Sequence, residues 1–329
     1  MELTIYAPGL LLPASVLADT VFDLSTEALP LLLGRGQRHH EDRDWLARAF
    51  STPKPLPAAA LRIVGAGETA SGQWLCLDPV HWQVSREGVT LASASLDADE
   101  AAALIEAIQP VFADWGTLSA TQPTHWHLQL SRSLLLETRC LPDSIGQPVD
   151  PALPGGLDGP AWRRLIAEAQ TILHAHPVNQ RREATQRLAI NSLWPWGMGA
   201  LPTPSTLHCD YQVIWSNDAL FAGLAAQCNI ACIPPPDRYQ PATGSVLCHF
   251  DQLADPARNL NAMTWRLALL ELDEHWILPA IAALKRGECR ALRVVGTHLH
   301  GDAHATVFSL VRGNLWRFWR RTGQLTELA

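Results

Sequence analysis

Histidine, asparagine and arginine side chains cluster near the middle of the chain, where a helix is predicted to end. The candidates for holding a ligand there are His174, His176, Asn179, Arg182, Asn191, Trp194 and Trp196. Arginine can donate two parallel hydrogen bonds to a phosphate or a carboxylate, and histidine and asparagine can fix the orientation of such a group. The ligand that this pattern predicts is a small phosphorylated or carboxylate molecule. The asparagines could instead tie loops to the backbone, so a binding role and a structural role remain alternatives.

A second group of candidate residues lies near the C-terminus and could bind a metal ion: His298, His300, Asp302 and His304. In an extended chain His298 and His300 share one face, which is a suitable start for a metal site. A polar loop at the end of a strand is the alternative that the pattern favours. The glycine motifs of nucleotide-binding loops do not occur in the sequence.

The composition is that of a folded protein, with 47% hydrophobic and 17% charged residues among 329. A net charge of −7 argues against nucleic acid or an anionic membrane as a partner, because clustered lysines and arginines bind both. The apolar first residues are too few to cross a bilayer and lack the basic start of a signal peptide. Seven scattered cysteines are typical of reduced thiols, so we predict a cytoplasmic protein.

Alternating strands and helices predict an α/β fold with a mostly parallel sheet and helices on both faces. Residues 1–72 and 141–329 are assigned to this α/β core. Residues 73–140 are richer in short strands and turns, and we predict that they form an inserted α+β module. The segment 141–160, rich in Pro, Gly and Asp, is the expected exit from the module.

Several single elements can be predicted from local patterns. Asp97 precedes apolar residues at helical spacing and is expected to cap a helix. Residues 162–174 also have helical spacing. Residues 261–285 form the longest helical stretch, with a break expected near Pro279. Residues 315–320 are predicted to form the last strand, after a tight turn.

Two motifs around the first candidate site resemble a known family. Residues 173–182 read LHAHPVNQRR, and residues 189–199 read AINSLWPWGMG. Together they resemble the HPVN…R…N-x-x-W-x-W-G-x-G signature of archaeal-type, cofactor-independent phosphoglycerate mutases, which belong to the alkaline-phosphatase superfamily. The resemblance covers residues 70–300, is strongest at 173–199, and is closest to a bacterial branch of Rpf-type regulatory proteins. It implies that the α/β core has the alkaline-phosphatase-like fold.

The resemblance also implies a reaction that this sequence is poorly equipped to perform. Family members pass a phosphoryl group through a serine beside two divalent metal ions held by Asp and His. The first metal ligand follows the opening strand, where this sequence has Ala7, Pro8 and Gly9. Of the later ligands, only Asp255 and His298 have counterparts. The sequence therefore predicts a catalytically degenerate protein.

Three functions remain open at this point. The leading hypothesis is a regulatory or ligand-binding protein without a cofactor. The alternative is an active 2,3-bisphosphoglycerate-independent phosphoglycerate mutase, or a related metal-dependent phosphatase, with Mn²⁺ or Mg²⁺ on relocated ligands. The third is a protein-interaction module with a tryptophan-rich surface, since the chain contains 13 tryptophans.

Overall fold

The computed structural model describes residues 1–42, 44–86, 88–204, 207–298, 304–317 and 319–328. The strands are β1 Glu2–Pro8, β2 Gln37–Glu41, β3 Gln73–Ser85, β4 Gly88–Ala92, β5 Gly116–Gln122, β6 His125–Leu130, β7 Ser192–Ala200, β8 Val213–Trp215, β9 Ala231–Ile233, β10 Ser245–His249, β11 Ala291–Thr297 and β12 Ala305–Val311. The α-helices are α1 Ala14–Val21, α2 Leu29–Arg35, α3 Trp45–Ala49, α4 Ala58–Gly65, α5 Ala98–Phe112, α6 Leu141–Ser144, α7 Gly159–Ala175, α8 Pro177–Ala184, α9 Ala219–Gln227, α10 Ala254–Arg258, α11 Ala262–Glu271, α12 Leu278–Arg286 and α13 Arg312–Leu315. Short 3₁₀ turns occur at Asp150–Ala152 and Leu325–Leu328, and a π-helix at Leu272–Ile277.

The chain forms two compact units. The first consists of Met1–Ser51 and Leu207–Ala329, and the second of Thr52–Thr206. In the first unit, seven of the described strands form one sheet in the order β2-β12-β11-β1-β10-β8-β9. The strands from β11 to β9 are parallel, and β12 and β2 extend the sheet in antiparallel fashion at one edge. The predicted α/β fold with a mostly parallel sheet is confirmed.

Helices cover both faces of this sheet. Successive side chains of β1 point to opposite faces, so this one strand contacts helices on each side. Leu3 and Ile5 are fully buried in a core that they share with α1, α2, α11 and α12. Tyr6 points to the opposite face, where its ring stacks on Trp45 of α3 at 5.4 Å and lies 6.0 Å from Phe221 of α9. One face of β1 is therefore entirely apolar, whereas the other combines the packed Tyr6 ring with the polar side chains of Glu2 and Thr4.

The π-helix places a buried carboxylate where another helix begins. It separates α11 from α12, so the long helical stretch is interrupted just before Pro279. Asp273 in this segment is 1% exposed and accepts hydrogen bonds from the N–H groups of Glu27, Ala28 and Leu29, the shortest distances being 2.8, 3.1 and 2.5 Å. Since α2 starts at Leu29 without a side-chain cap of its own, Asp273 caps it from a distant part of the chain.

In the second unit, the described strands form an antiparallel sheet in the order β4-β3-β6-β5, and β7 also pairs with β3. Helices α5 and α7 contribute Leu104 and Trp162 to its core. The predicted cap of α5 is confirmed, since the Asp97 side chain accepts from the Glu100 N–H at 2.8 Å. This unit extends beyond the module expected at residues 73–140, because β7 lies next to β3 and α7 packs into the same core.

The strand predicted at residues 315–320 is wrong. Residues 312–315 form α13, and the Arg320 N–H donates to the Arg317 carbonyl at 3.0 Å, which is a turn. The side chain of Asn314 accepts from the Val311 N–H at 3.1 Å and closes the chain into this helical turn directly after β12. Among the described helices, none is long and apolar enough to cross a membrane.

Candidate functional site

The chain leaves the carboxyl end of β1 through a closely packed segment. Gly9 and the three leucines that follow it are buried. The Trp265 indole N–H donates to the Gly9 carbonyl at 2.8 Å. Gly9 has a φ of +80°, and a Cβ placed there would lie 2.7 Å from the Leu253 carbonyl oxygen. The described segment that follows this central strand is therefore packed against α10 and α11, and it contributes no carboxylate.

A serine and a histidine meet at the ends of the neighbouring parallel strands. Ser216 Oγ lies 3.1 Å from His249 Nδ1 and also accepts from the Asp218 N–H at 3.0 Å. Burial lowers the pKa of His249, although Asp218 and Asp251 act in the opposite direction. Its ring stacks on Phe221 with centroids 4.2 Å apart. A neutral imidazole beside a hydroxyl can accept a proton, but Ser216 is only 5% exposed.

The two asparagines of the first candidate site form hydrogen bonds to backbone groups of the second unit. Asn179 donates to the carbonyls of Leu173 and Ile190, both at 2.7 Å, and accepts from the Ile190 N–H at 2.8 Å. Asn191 accepts from the Trp82 N–H at 2.7 Å and donates to the Trp82 carbonyl at 3.0 Å. These bonds join the α7–α8 corner and β3 to the segment that leads into β7.

Arg182 is a buried connector in the same unit. It is 1% exposed, and its guanidinium donates to the Leu188 carbonyl at 2.8 Å and the Ser95 carbonyl at 2.6 Å. It also pairs with Glu100 at 2.5 Å, which places a full positive charge beside the first turn of α5. The guanidinium thus bonds to protein groups on three sides.

The remaining members of the candidate set divide between core and surface. The indole N–H of Trp194 donates to the Arg139 carbonyl at 3.0 Å, and that of Trp196 donates to Asp78 at 2.7 Å. His174 is exposed on the last turn of α7. His176 caps α8 by accepting from the Val178 N–H at 3.3 Å, and burial followed by the charge of Arg181 lowers its pKa. The predicted binding role of this set stays a prediction, since the contacts described are all with the protein itself.

Trp196 belongs to a buried polar network. Asp78 is 1% exposed, and one of its oxygens accepts from Arg62 at 2.8 Å as well as from Trp196. Its other oxygen accepts from the Trp126 N–H at 3.1 Å. His127 is fully buried nearby, and desolvation lowers its pKa to about 4. Both oxygens of the Asp78 carboxylate accept hydrogen bonds, so this buried ion pair joins β3, β6, β7 and α4.

The first unit contains a cavity of about 520 Å³ on the face of the sheet that carries Thr4. Its charged and titratable lining consists of Glu2, His39, Glu41, Arg48, His208, Cys209, Asp210, Tyr211 and Arg293. Glu2 pairs with Arg293 at 3.2 Å, and Glu41 pairs with Arg48. A ligand with negative charge could bind here by competing with these two carboxylates for the arginines.

Comparisons with known proteins give one consistent similarity. Over 156 residues the chain is 27% identical to the 2,3-bisphosphoglycerate-independent phosphoglycerate mutase of Methanosarcina barkeri, covering 46% of this chain and 38% of that protein. Over 162 residues it is 31% identical to the enzyme of the same name from Methanosarcina acetivorans, covering 48% and 40%. The chain thus spans about two fifths of the length of the curated relatives that it matches. No family model matches the chain.

Over nearly half of its length the chain is thus similar in sequence to proteins named as 2,3-bisphosphoglycerate-independent phosphoglycerate mutases. Among solved structures it is similar to the cofactor-independent phosphoglycerate mutase of Thermoplasma acidophilum, with 14% identity and a TM-score of 0.43 over all of this chain and 94% of that one. A protein of Pyrococcus horikoshii gives 12% identity and a TM-score of 0.46 over 99% and 91%.

The described residues do not fit the two-metal site of the mutases. Mn²⁺ and Mg²⁺ bind mainly carboxylate oxygens, and Pro8 and Gly9 supply none at the end of β1. Asp255 lies on α10, where its carboxylate is exposed and pairs with Arg258 at 2.6 Å. His298 is half-buried, and burial followed by the charge of Arg38 lowers its pKa.

The His-rich metal candidate can be followed only in part. His304 is exposed, whereas His300 and Asp302 lie outside the described residues. Within the described parts of the chain, no group of three or more His, Cys, Asp or Glu is placed to hold a metal ion. A metal role for this run stays a prediction.

Two features of the structure were not predicted from the sequence. The Ser216–His249 pair could have been found from the buried strands that precede each residue, because parallel strands place their carboxyl ends at one edge. The cavity could not have been found in this way, since its lining comes from β1, β2, β10, β11, β12, α3 and the segment 208–211, and no local pattern brings them together.

Proposed function

We propose that this protein is a catalytically degenerate relative of the phosphoglycerate mutases that acts as a regulatory or ligand-binding protein in the cytoplasm. The observation that carries the proposal is the packed segment at the carboxyl end of β1, residues 8–12, which contains no carboxylate. Gly9 and the leucines after it are buried, and Trp265 bonds to the Gly9 carbonyl. Phosphoryl transfer through two metal ions needs an open, carboxylate-lined space at that edge.

A coupled assay tests the catalytic part. The full-length protein is incubated with 3-phosphoglycerate and Mn²⁺ or Mg²⁺, and 2-phosphoglycerate is detected through enolase. The Methanosarcina barkeri mutase serves as the positive control, and p-nitrophenyl phosphate tests the related phosphatase activity. We expect turnover of both substrates at the rate of buffer alone, and metal-dependent turnover of either would overturn the proposal.

The cavity of the first unit is the proposed ligand site. Its volume of about 520 Å³ lies within the range of small-molecule pockets, roughly 300–1,000 Å³. Arg48 and Arg293 line it and could bind a phosphorylated or carboxylate ligand. The middle segment is less suited, because Asn179 and Arg182 are bonded to the protein on several sides.

Calorimetric titration with 3-phosphoglycerate separates the two sites. We expect binding to the wild type, at least a tenfold loss of affinity in Arg293→Ala, corresponding to about 1.4 kcal/mol, and no loss in the control His174→Ala. Loss in His174→Ala or His176→Ala alone would assign the ligand to the middle segment. Absence of binding to the wild type would refute this ligand class.

A protein partner is the second candidate, and one observation favours it. Trp316 and Trp319 each expose 70% of their surface, which is unusual for tryptophan. A partner captured from a lysate by the wild type, and lost in the double variant Trp316→Ser, Trp319→Ser, would support this function. Equal capture by both proteins would refute it.

A further inference from the structure

A short segment near the C-terminus is basic, although the whole chain has a net charge of −7. Residues 303–326 contain four arginines, at positions 312, 317, 320 and 321, and no aspartate or glutamate. Arg312, Arg320 and Arg321 are exposed, and Arg317 is half-buried. None of the ion pairs between described residues includes any of the four. Their positive charges are therefore available to carboxylates from outside the chain.

Two exposed tryptophans lie in the same segment. Trp316 and Trp319 each expose 70% of their surface. The Arg317 N–H donates to the Asn314 carbonyl at 3.1 Å, and the Arg320 N–H donates to the Arg317 carbonyl at 3.0 Å. These consecutive turns keep the tryptophans close to the arginines. Tryptophan and arginine are among the residue types that contribute most of the binding free energy at protein interfaces. We call these residues the Arg–Trp patch: Arg312, Trp316, Arg317, Trp319, Arg320 and Arg321.

The backbone of the Arg–Trp patch is attached to α2 on both sides. On the N-terminal side, the Arg35 guanidinium donates to the Leu315 carbonyl at 2.9 Å. On the C-terminal side, the Gly323 N–H donates to the Pro30 carbonyl at 2.9 Å. Because these bonds already hold the backbone in place, the patch has less conformational entropy to lose when a partner binds.

We propose that the Arg–Trp patch binds an acidic, partly apolar segment of a partner protein. Glutamate or aspartate side chains of that segment pair with the arginines, and its apolar side chains pack on the two indole rings. This inference rests on the protein-partner function proposed above and specifies the chemistry of the partner.

The charge of the whole chain favours a short acidic segment over a larger polyanion. Charges at a protein surface are screened over about 8 Å at physiological ionic strength, so a short segment interacts mainly with the arginines beside it. A nucleic acid or an anionic membrane extends much further and meets the net negative charge of the rest of the chain, which repels it.

Fluorescence anisotropy of a labelled peptide, titrated with the full-length protein, tests the proposal. The probe is a short peptide of glutamate and leucine, and its control carries glutamine at each glutamate position. We expect the wild type to bind the glutamate peptide at least tenfold more tightly than the glutamine peptide. Added NaCl should weaken the binding, because exposed charge pairs are screened by salt.

Arginine variants show where the charge lies. The double variant Arg320→Gln, Arg321→Gln should bind the glutamate peptide at least tenfold more weakly than the wild type. The control Arg164→Gln, Arg181→Gln also removes two exposed positive charges, but from the second unit. This control should bind like the wild type, and an equal loss in both double variants would show an effect of net charge alone and overturn the proposal.

Tryptophan variants test the apolar contact. Trp316→Ser, Trp319→Ser should also lose at least tenfold in affinity, and circular dichroism checks that each variant is folded. Equal binding of the glutamine peptide, or no binding of the glutamate peptide to the wild type, would overturn the proposal. Tighter binding of oligothymidylate or of phosphatidylglycerol vesicles than of the peptide would assign the patch to a polyanion instead.

The arginine variant also separates this inference from the partner function on which it rests. A lysate partner that is lost in Trp316→Ser, Trp319→Ser but kept in Arg320→Gln, Arg321→Gln would refute the acidic chemistry and leave the partner function standing. Equal capture by the wild type and the tryptophan variant would refute the partner function itself.

Discussion

Replacing Arg182 by alanine distinguishes a structural from a ligand-binding role for the middle segment. The guanidinium is 1% exposed and bonds to Glu100 and to two backbone carbonyls. Breaking a buried ion pair typically costs about 3–5 kcal/mol. Glu100 keeps a second partner, because Arg187 lies 3.1 Å from it. We therefore expect the lower end of that range, about 3 kcal/mol.

The assay should follow the second unit by itself, because a chain with two compact units need not unfold in one step. Cys76 is fully buried there, and thiol labelling of this residue in rising urea reports the opening of that unit. With a slope of about 2 kcal/mol per molar urea, a loss of about 3 kcal/mol lowers the midpoint by roughly 1.5 M.

Arg181 provides the matched control, since it is the preceding residue on α8 and its side chain is exposed. Arg181→Ala should change the free energy of unfolding by less than about 0.5 kcal/mol. An Arg182→Ala protein with the stability of the wild type and a lost affinity for 3-phosphoglycerate would refute the structural role.

Three further predictions concern titration and capping. His127 stays neutral in the folded protein down to about pH 4, whereas in the unfolded chain its pKa is the ordinary value of about 6.5. Protonation below pH 6.5 therefore favours the unfolded chain, and the free energy of unfolding decreases as the pH falls from 6.5 toward 4. By this linkage the wild type should lose about 2 kcal/mol more than His127→Gln between pH 7.5 and pH 5 in urea titrations, and parallel pH profiles would contradict it. Alkylation of Cys209 by iodoacetamide should reach half its maximal rate near pH 7, because its surroundings, Cys228 first, lower the pKa of this thiol to about 7. A half-maximal rate only at the ordinary thiol pKa of about 8.5 would contradict this lowering. Asp273→Ala should cost about 2–3 kcal/mol and accelerate amide exchange at residues 27–29, since three N–H groups lose their acceptor; unchanged protection there would contradict the remote cap.

Local patterns in the sequence were enough to predict many of the elements. Asp97 caps α5, and the helical spacing at residues 162–174 matches α7. The wrong strand at 315–320 shows the limit of such patterns, because the Asn314 side chain bonds to the backbone and favours a helical turn there. The pairing of β3 with β7 was not predicted, since no local pattern specifies which distant strand is the neighbour.

The candidate site shows a similar division. The sequence leaves open whether Asn179 and Asn191 bind a ligand or tie loops to the backbone. It cannot decide between these roles, because both use the same side-chain amides. The backbone partners of these asparagines lie in other elements and follow from the fold alone.

The binding of Mn²⁺ tests the proposed loss of the two-metal site most directly. The full-length protein is dialysed to equilibrium against micromolar free Mn²⁺. Elemental analysis then gives the number of Mn²⁺ ions bound per chain. Since the described residues around Gly9, Asp255 and His298 do not fit a two-metal site, we predict less than one ion per chain. Two ions per chain, lost together when His298 is replaced by alanine, would contradict the account.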